Sequence, residues 1–451
     1  MIIIKEQKKQ NATYYIKEIY NTKNILIYTE VIYLKSSIIE NKKHLSYFIL
    51  YDENMKPIRE AFRFLNYGLN GKAINSKEKS LYALKLLYMF EKIINKSIEC
   101  FNRTDISNLI NFLRGFSPEG QVISFQVKTE RNSETISGYF SVYRKYIKFL
   151  NLTESFFLKK SEKELKVLIL ENDKDMSVTP YELGSKPPCK NQEIPKYISV
   201  EEFKKILEII RKYYSKREEC IIRLMYQCGL RIGEVLGLTA DDVVITKIGD
   251  DYVAVGYLRN RVTDKKDQMA KTCMKVTNKK QYRLKEYKEN GFQKIIIPMD
   301  LYDLINDYID ETHVYAREHK RNNYYKYTIA DRVSESEEYE DDNYYIFLNS
   351  LGKPLRSHLW NYTLRKIFEK SHISVDTNVR KNNLNHKFRH GYAMYNVNYL
   401  KVKILELKEK MRHKSLLSVS CYYQPTFSDK IKLKDEFTKD LYSVIPELNI
   451  C

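Results

Sequence analysis

The chain has 451 residues, with 77 Lys and Arg against 58 Asp and Glu, a formal net charge of +19. That length divides into two or three domains. A hydrophobic content of 43% excludes wholesale disorder, and the excess of base fits either a polyanionic partner such as nucleic acid or a plainly solvated surface. Seven cysteines without a CxxC pair exclude a disulfide scaffold and zinc-type ligand spacing. No stretch approaches the roughly 18 apolar residues of a membrane span, and the start has too short an apolar run for a signal peptide. The expectation is a cytoplasmic protein with reduced thiols and no membrane partner.

In chain order, residues 1–70 read as a small strand-rich module. NILIYTEVIYL (24–34) and HLSYFILYDENMKPI (44–58) carry the strand signals, and YDENMKP has turn chemistry. Residues 74–155 change to a helical period. Ser76 is placed to cap a helix bearing Leu81, Leu84, Leu87, Tyr88 and Phe90. Thr104 or Asp105 is placed to cap a second, with Ile106, Leu109, Ile110 and Leu113, stopped by Gly115. A third runs near Glu134–Leu150 with Ile136, Tyr139, Phe140, Tyr143 and Ile147 on one face. Residues 156–196 read as a linker, with prolines at 180, 187, 188 and 195 and Gly184.

A new domain is expected over 197–451. Ser199 and Glu202 form a capping box that opens its first helix. Asp251–Leu258 and Lys294–Pro298 read as strands. Residues 259–288 between them form a polar insert with 11 bases and 3 acids, a net of +8. Residues 331–342, with 7 acids and 1 base, read as a solvated loop, with an internal mimic of DNA as the sharper alternative. After residue 426, Ile431, Leu433, Phe437, Leu441 and Val444 form an apolar helical stripe.

Phosphate chemistry needs positive donors held at fixed geometry, and the planar fork of Arg suits it best. In CGLRIGEVLGL (228–238) a helix ends at Gly229, and Arg231 and Glu234 follow three apart, so the Glu can fix the guanidinium. His386 and Arg389, in LNHKFRHGYA, share a helical face in the same way. The stretch MRHKSLLSVSCYY supplies His413 and, nine residues on, Tyr422. Taken singly, each pattern fits a surface ion pair, a helix cap or a packing tyrosine equally well.

Together, in this order and with 33 residues from Arg389 to Tyr422, the motifs resemble the tyrosine recombinase (phage integrase) family, and the long basic insert resembles its larger transposase-type members. The resemblance implies a mixed, mainly α fold: a helical core-binding domain at 74–155, an α+β catalytic domain with a C-terminal tail at 197–451, and the strand-rich N-terminal module in addition. It implies a site-specific DNA recombinase that cuts and rejoins DNA through a 3′-phosphotyrosyl intermediate, to integrate or excise a mobile element. Arg231 and Arg389 would hold the scissile phosphate, and His413 would donate to it. His386 would act as base or orienter, Tyr422 would attack, and Glu234 would support Arg231. His390 is expected to pack or to bond to backbone. The family's lysine general acid lies on a short hairpin, which here is expanded; Lys271 is the choice, with Lys275 and Lys288 open. Tyr422 is preferred to Tyr423 on spacing alone.

The resemblance further implies double-stranded attachment sites as partner and a homotetramer on DNA. Accessory DNA-bending or directionality proteins are possible partners, and the setting would be bacterial and nucleoid-associated. No metal or other cofactor is expected, since neither a P-loop nor metal-type carboxylate spacing occurs. A type IB topoisomerase-like relaxing enzyme and a non-catalytic DNA-binding accessory protein are the alternatives.

Overall fold

The computed structural model describes the chain except residues 10–11, 41–45, 119–121, 162–164, 170–173, 179–180, 185–193, 263, 265, 277–278, 325–343, 376–383, 425–426 and 446–451. It divides into two units, Met1–Asn191 and Gln192–Cys451. The fold is mixed and mainly α, with helices in both units and only small sheets. The acidic run 331–342 lies outside the described residues. Among those residues, no helix is long and apolar enough to cross a membrane.

The first unit opens with three antiparallel strands, β1 (Ile2–Lys9), β2 (Ala12–Tyr20) and β3 (Leu26–Ile32). A hairpin of β4 (Ser36–Glu40) and β5 (Ser46–Leu50) follows, and then a short helix α1 (Arg59–Arg63). Three longer helices make the bundle: α2 (Ile74–Ile94), α3 (Arg103–Arg114) and α4 (Ser133–Phe149). Strand β6 (Ile123–Gln126), from the α3–α4 connection, pairs in parallel with β1. One core runs from Ile4 through Leu84, Phe112 and Tyr143 to Phe157. The strand module and the bundle, expected as separate bodies, are therefore buried against each other. Buried Glu6 of β1 adds a polar tie, accepting from the Thr129 N–H and Oγ1, each at 2.6 Å.

Two expected caps are displaced. α2 begins before Ser76, at Ile74, with Ala73 as its uncapped N-cap residue; the Ser76 carbonyl accepts from Ser80 Oγ inside the helix. α3 is capped by Asn102, whose side chain accepts from the Asp105 N–H at 3.0 Å while Asp105 returns to the Asn102 N–H at 2.8 Å. Asp105 is thus the far member of a capping box, and Gly115 stops the helix at φ +95° as expected. Within the expected linker lies a hairpin, β7 (Leu165–Ile169) with β8 (Lys174–Val178). Beyond it Arg144 stacks 4.0 Å over the Tyr181 ring and donates to the Leu183 carbonyl at 2.6 Å, so this stretch is pinned to the first unit.

The second unit starts with α5 (Val200–Tyr213), which is closed by the Ser199–Glu202 capping box. α6 (Lys216–Gln227), almost wholly buried, runs through the centre of the core, and α7 (Ile232–Leu236) follows after Gly229. Strands β9 (Val243–Ile248), β10 (Asp251–Arg259) and β11 (Phe292–Ile297) form an antiparallel sheet with β10 central. The insert between β10 and β11 ends in the short helix α8 (Lys285–Asn290). It is not simply a solvated basic loop: Asn260, Arg261, Gln268, Ala270, Cys273 and Val276 are buried.

Helices α9 (Met299–Tyr324), α10 (Ser357–Lys370) and α11 (Leu384–Asn398) complete the body. A small second core gathers α11, α12 (Ile404–Lys410), α13 (Leu417–Ser420) and the turn Cys421–Tyr423. Last comes α14 (Phe427–Val444), where Ile431, Phe437 and Val444 of the expected stripe stand exposed.

Candidate active site

The site is built on α11. Buried Asn385 accepts from Trp360 Nε1 at 2.6 Å and donates to Asn361 Oδ1 at 2.7 Å, which fixes the helix against α10. His386, Arg389 and His390 follow at i, i+3 and i+4, hence on one face. Arg389 is 2% exposed and donates to the carbonyls of Gly229 and Met411. Burial and the neighbouring Arg231 guanidinium lower its pKa to about 9.

Gly229 supplies the turn that aims its carbonyl. Its φ is +60°, and an added Cβ would lie 2.6 Å from the Tyr392 ring, so both backbone and space demand glycine. Arg231 follows at the N-cap of α7. Its backbone N–H and its Nη1 donate to the two carboxylate oxygens of Glu234, at 3.0 and 2.8 Å.

Glu234 is buried, and a second arginine reaches it. Arg412 Nη2 donates to Glu234 Oε2 at 2.9 Å and to the Gly229 carbonyl at 3.2 Å. Burial alone would push the Glu234 carboxyl up, but Arg412, Arg389 and Arg231 outweigh it and hold its pKa below the usual range. Three guanidiniums around one carboxylate leave two positive charges in excess.

Arg412 gets there through backbone geometry. α12 ends in a left-handed stop, with Arg412 at φ +52°, its N–H donating to the Glu409 carbonyl (2.8 Å) and the His413 N–H to the Lys408 carbonyl (3.0 Å). Glycine normally takes that position, and another residue there costs about 1 kcal/mol. The same stop presents His413. Its Nε2 and Arg412 Nε are buried and make no hydrogen bond among the described residues. Orphaned donors beside a surplus of positive charge suit an anion's oxygens.

Tyr422 is 3% exposed, and its Oη lies 2.6 Å from His390 Nδ1, with the two rings 5.7 Å apart. Burial raises the phenol's pKa, against the pull of Arg389 and Arg231. Tyr423 turns away: its hydroxyl donates to the Val402 carbonyl at 2.6 Å. All three imidazoles are depressed. Burial, then His386 and Arg389, takes His390 to about 3; burial, then Arg389, Arg231 and Arg412, takes His413 to about 4. The surrounding protein, and then the charges of Arg389, Arg231 and Lys271, lower His386. At neutral pH they are neutral bases or donors.

Arg231, Glu234, His386, Arg389, His413 and Tyr422, chosen from sequence, therefore come together. His390, expected to pack or to bond to backbone, instead contacts the tyrosine hydroxyl. His386 lies one turn earlier, its ring 6.0 Å from that of His390. Arg412 carries no signal in the sequence; only its neighbour His413 does. Lys271 is exposed on a turn close enough for its charge to act on His386. Lys275 is half-buried, and Lys288 lies exposed in the last turn of α8.

A cluster of arginines beside a buried tyrosine–histidine pair is suited to holding a phosphate next to a hydroxyl nucleophile. The chain belongs to the phage integrase family, whose pattern matches residues 196–429. Transposase A from transposon Tn554 of Staphylococcus aureus (strain N315) is 27% identical over 212 residues, 46% of this chain and 56% of that protein. The chain thus spans little more than half the length of this relative. The tyrosine recombinase XerC of Caldanaerobacter subterraneus subsp. tengcongensis is 35% identical over 71 residues, 14% of this chain and 20% of that protein. Among solved structures, the Tn1549 transposon integrase in complex with circular intermediate DNA is 16% identical, with a TM-score of 0.45 over 84% of this chain and 98% of that one.

Proposed function

We propose that the chain is a site-specific DNA recombinase of the integrase and transposase type, acting through a tyrosine nucleophile. The observation that carries this reading is the meeting of Arg231, Arg389, Arg412 and His413 with Tyr422, brought from three separate stretches of sequence. Arg231 and Arg389 hold the non-bridging oxygens of the scissile phosphate. His413 Nε2 and Arg412 Nε, without a hydrogen bond among the described residues, supply further donors as charge builds in the transition state.

Tyr422 Oη attacks phosphorus, and its proton passes to a neutral imidazole. His390 is in contact, with His386 behind it. As the Oη–P bond forms, the P–O5′ bond breaks, and the 5′-oxygen takes a proton from Lys271 and leaves as a hydroxyl. The product is a 3′-phosphotyrosyl link, which conserves the energy of the phosphodiester for rejoining. Arginine and histidine carry the charge stabilisation, so the step requires neither metal nor nucleotide.

The partner is double-stranded DNA at attachment sites. The helical domain at 74–155 would bind the core of the site, and the domain at 197–451 would carry the chemistry. Recombination needs four cleavage sites, hence four copies on DNA, and the exposed stripe of α14 is suited to contact a neighbour. The test is covalent trapping on nicked duplexes that carry the ends of the DNA segment holding this gene. Wild type and Tyr423→Phe form the adduct, and Tyr422→Phe does not. An adduct lost with Tyr423→Phe alone would overturn the assignment of the nucleophile. Relaxation of plasmids lacking those ends would favour the topoisomerase reading.

A further inference from the structure

The lysine that protonates a leaving group must be held to a fraction of an ångström, yet Lys271 is exposed and its ammonium has no partner among the described residues. Its placement must come from the backbone that carries it. That backbone is clasped by one side chain. Asn260, just past the end of β10, is completely buried. Its amide nitrogen donates to the carbonyls of Ala270 (2.9 Å), Met274 (3.0 Å) and Cys273 (3.2 Å), and its Oδ1 accepts from the Ala270 N–H (2.7 Å). These four bonds bracket residue 271 on both sides.

Other contacts complete the seat. The Met269 carbonyl presses on Gly233 of α7 and the Gln268 carbonyl on Gly237 just past it, where any Cβ would collide with them. Thr272 Oγ1 donates to Gln293 Oε1 of β11 at 2.9 Å, and Ser357 Oγ of α10 to Asp267 Oδ1 at 2.6 Å. The loop is therefore tied to β10, β11, α10 and the helix that holds Arg231 and Glu234.

We propose that Asn260 is the positioning residue for Lys271: its carboxamide replaces the missing short hairpin by locking an expanded loop onto the end of β10, so that the ammonium stands over the 5′-oxygen. This rests on the reading of Lys271 as proton donor to that oxygen. Glutamine is too long for the clasp, and aspartate would set a carboxylate against three carbonyls.

The experiment compares cleavage by full-length wild type, Lys271→Ala, Asn260→Ala and Thr272→Val on two nicked duplexes. One carries the ordinary phosphodiester at the position mapped by the Tyr422 adduct; the other has sulfur in place of the 5′-bridging oxygen. A thiolate leaves without a proton, so the second substrate bypasses the acid. On the phosphodiester, Lys271→Ala loses about 10²–10⁴-fold, the contribution of a positioned acid. Asn260→Ala loses about 10²-fold, as expected of a misplacement near 1 Å, and Thr272→Val loses less in the same direction. On the sulfur substrate all three return close to wild type.

Asn260→Ala equally slow on both substrates, with Lys271→Ala restored, would overturn the positioning role alone. Failure of the sulfur substrate to restore Lys271→Ala would overturn the Lys271 reading and this inference with it. If Asn260→Ala does not fold, Thr272→Val decides, and the absence of a loss selective for the phosphodiester counts against the proposal.

Discussion

At the scale of single residues the site turns on Glu234, one buried carboxylate shared by Arg231 and Arg412. Half of this was legible in the sequence, because Arg231 and Glu234 are three apart and a helical turn must juxtapose them. Arg412 stands 178 residues further on, and no local pattern announces it. Glu234→Gln keeps the shape and removes the charge that balances two arginines, so the unit should lose about 3–5 kcal/mol in denaturant titration, the usual cost of breaking a buried pair, with adduct formation falling as well.

The histidines carry a pH signature. His390 and His413 have folded pKa values of about 3 and 4, below the 6.5 of the unfolded chain. The unfolded state therefore binds more protons below pH 6.5, and the stability present above that pH drains away as the solution is acidified towards pH 4. The slope is at most about 1.4 kcal/mol per pH unit for each histidine. Urea midpoints at pH 7.5 and 5 measure it, and His390→Phe should flatten the dependence. His386 and His390 are i,i+4 on one face, so sequence alone could not decide which of them meets Tyr422; the packing of α11 on the turn Cys421–Tyr423 decides it.

At the scale of elements, amphipathic helices read well and their ends less so. α5 and its Ser199 box, α4 and the Gly115 stop follow from period and cap chemistry. Ser76 failed as a cap because the chain turns helical before it, and Asp105 because its partner lies three residues back at Asn102. β1, β2 and β9 escaped notice. Lysines and glutamates dilute the alternation of β1 and β2, and β1 finds its second partner, β6, only after about 120 intervening residues. Asn260 looked like an early residue of the polar insert at 259–288, since nothing local tells a clasp from a loop. Gly229 is the element-scale position most exposed to change. Gly229→Ala must bear a left-handed backbone and a clash with Tyr392, so it should destabilise the second unit by about 1–3 kcal/mol. Cleavage should also fall, because the Gly229 carbonyl anchors both Arg389 and Arg412.

At the scale of the whole molecule, the proposed function divides the work between the net charge of +19, which would hold DNA, and the handful of groups that would react. Affinity for DNA should be steeply salt-dependent. With six or more phosphate contacts it falls about 10³-fold or more between 50 and 200 mM salt, measurable by anisotropy. Cleavage at saturating protein should be the same in EDTA as in magnesium, since the donors proposed for the phosphate are arginines and histidines. The one core of the first unit also predicts that a chain truncated by residues 1–70 will lose cooperative folding, seen as a broadened urea transition, because Ile4, Tyr15, Phe48 and Leu50 are part of that core.

Tyr422 is a buried phenol among 38 tyrosines, its hydroxyl already engaged and its ionisation suppressed. Nitrating or iodinating reagents attack accessible, ionisable rings, so Tyr67, Tyr252 and Tyr315 on the surface will be labelled while Tyr422 is not. On the proposed reading, the group that would react with DNA is thus sheltered from small electrophiles in solution, and an idle copy would stay chemically silent until a phosphate drew the hydroxyl away from His390.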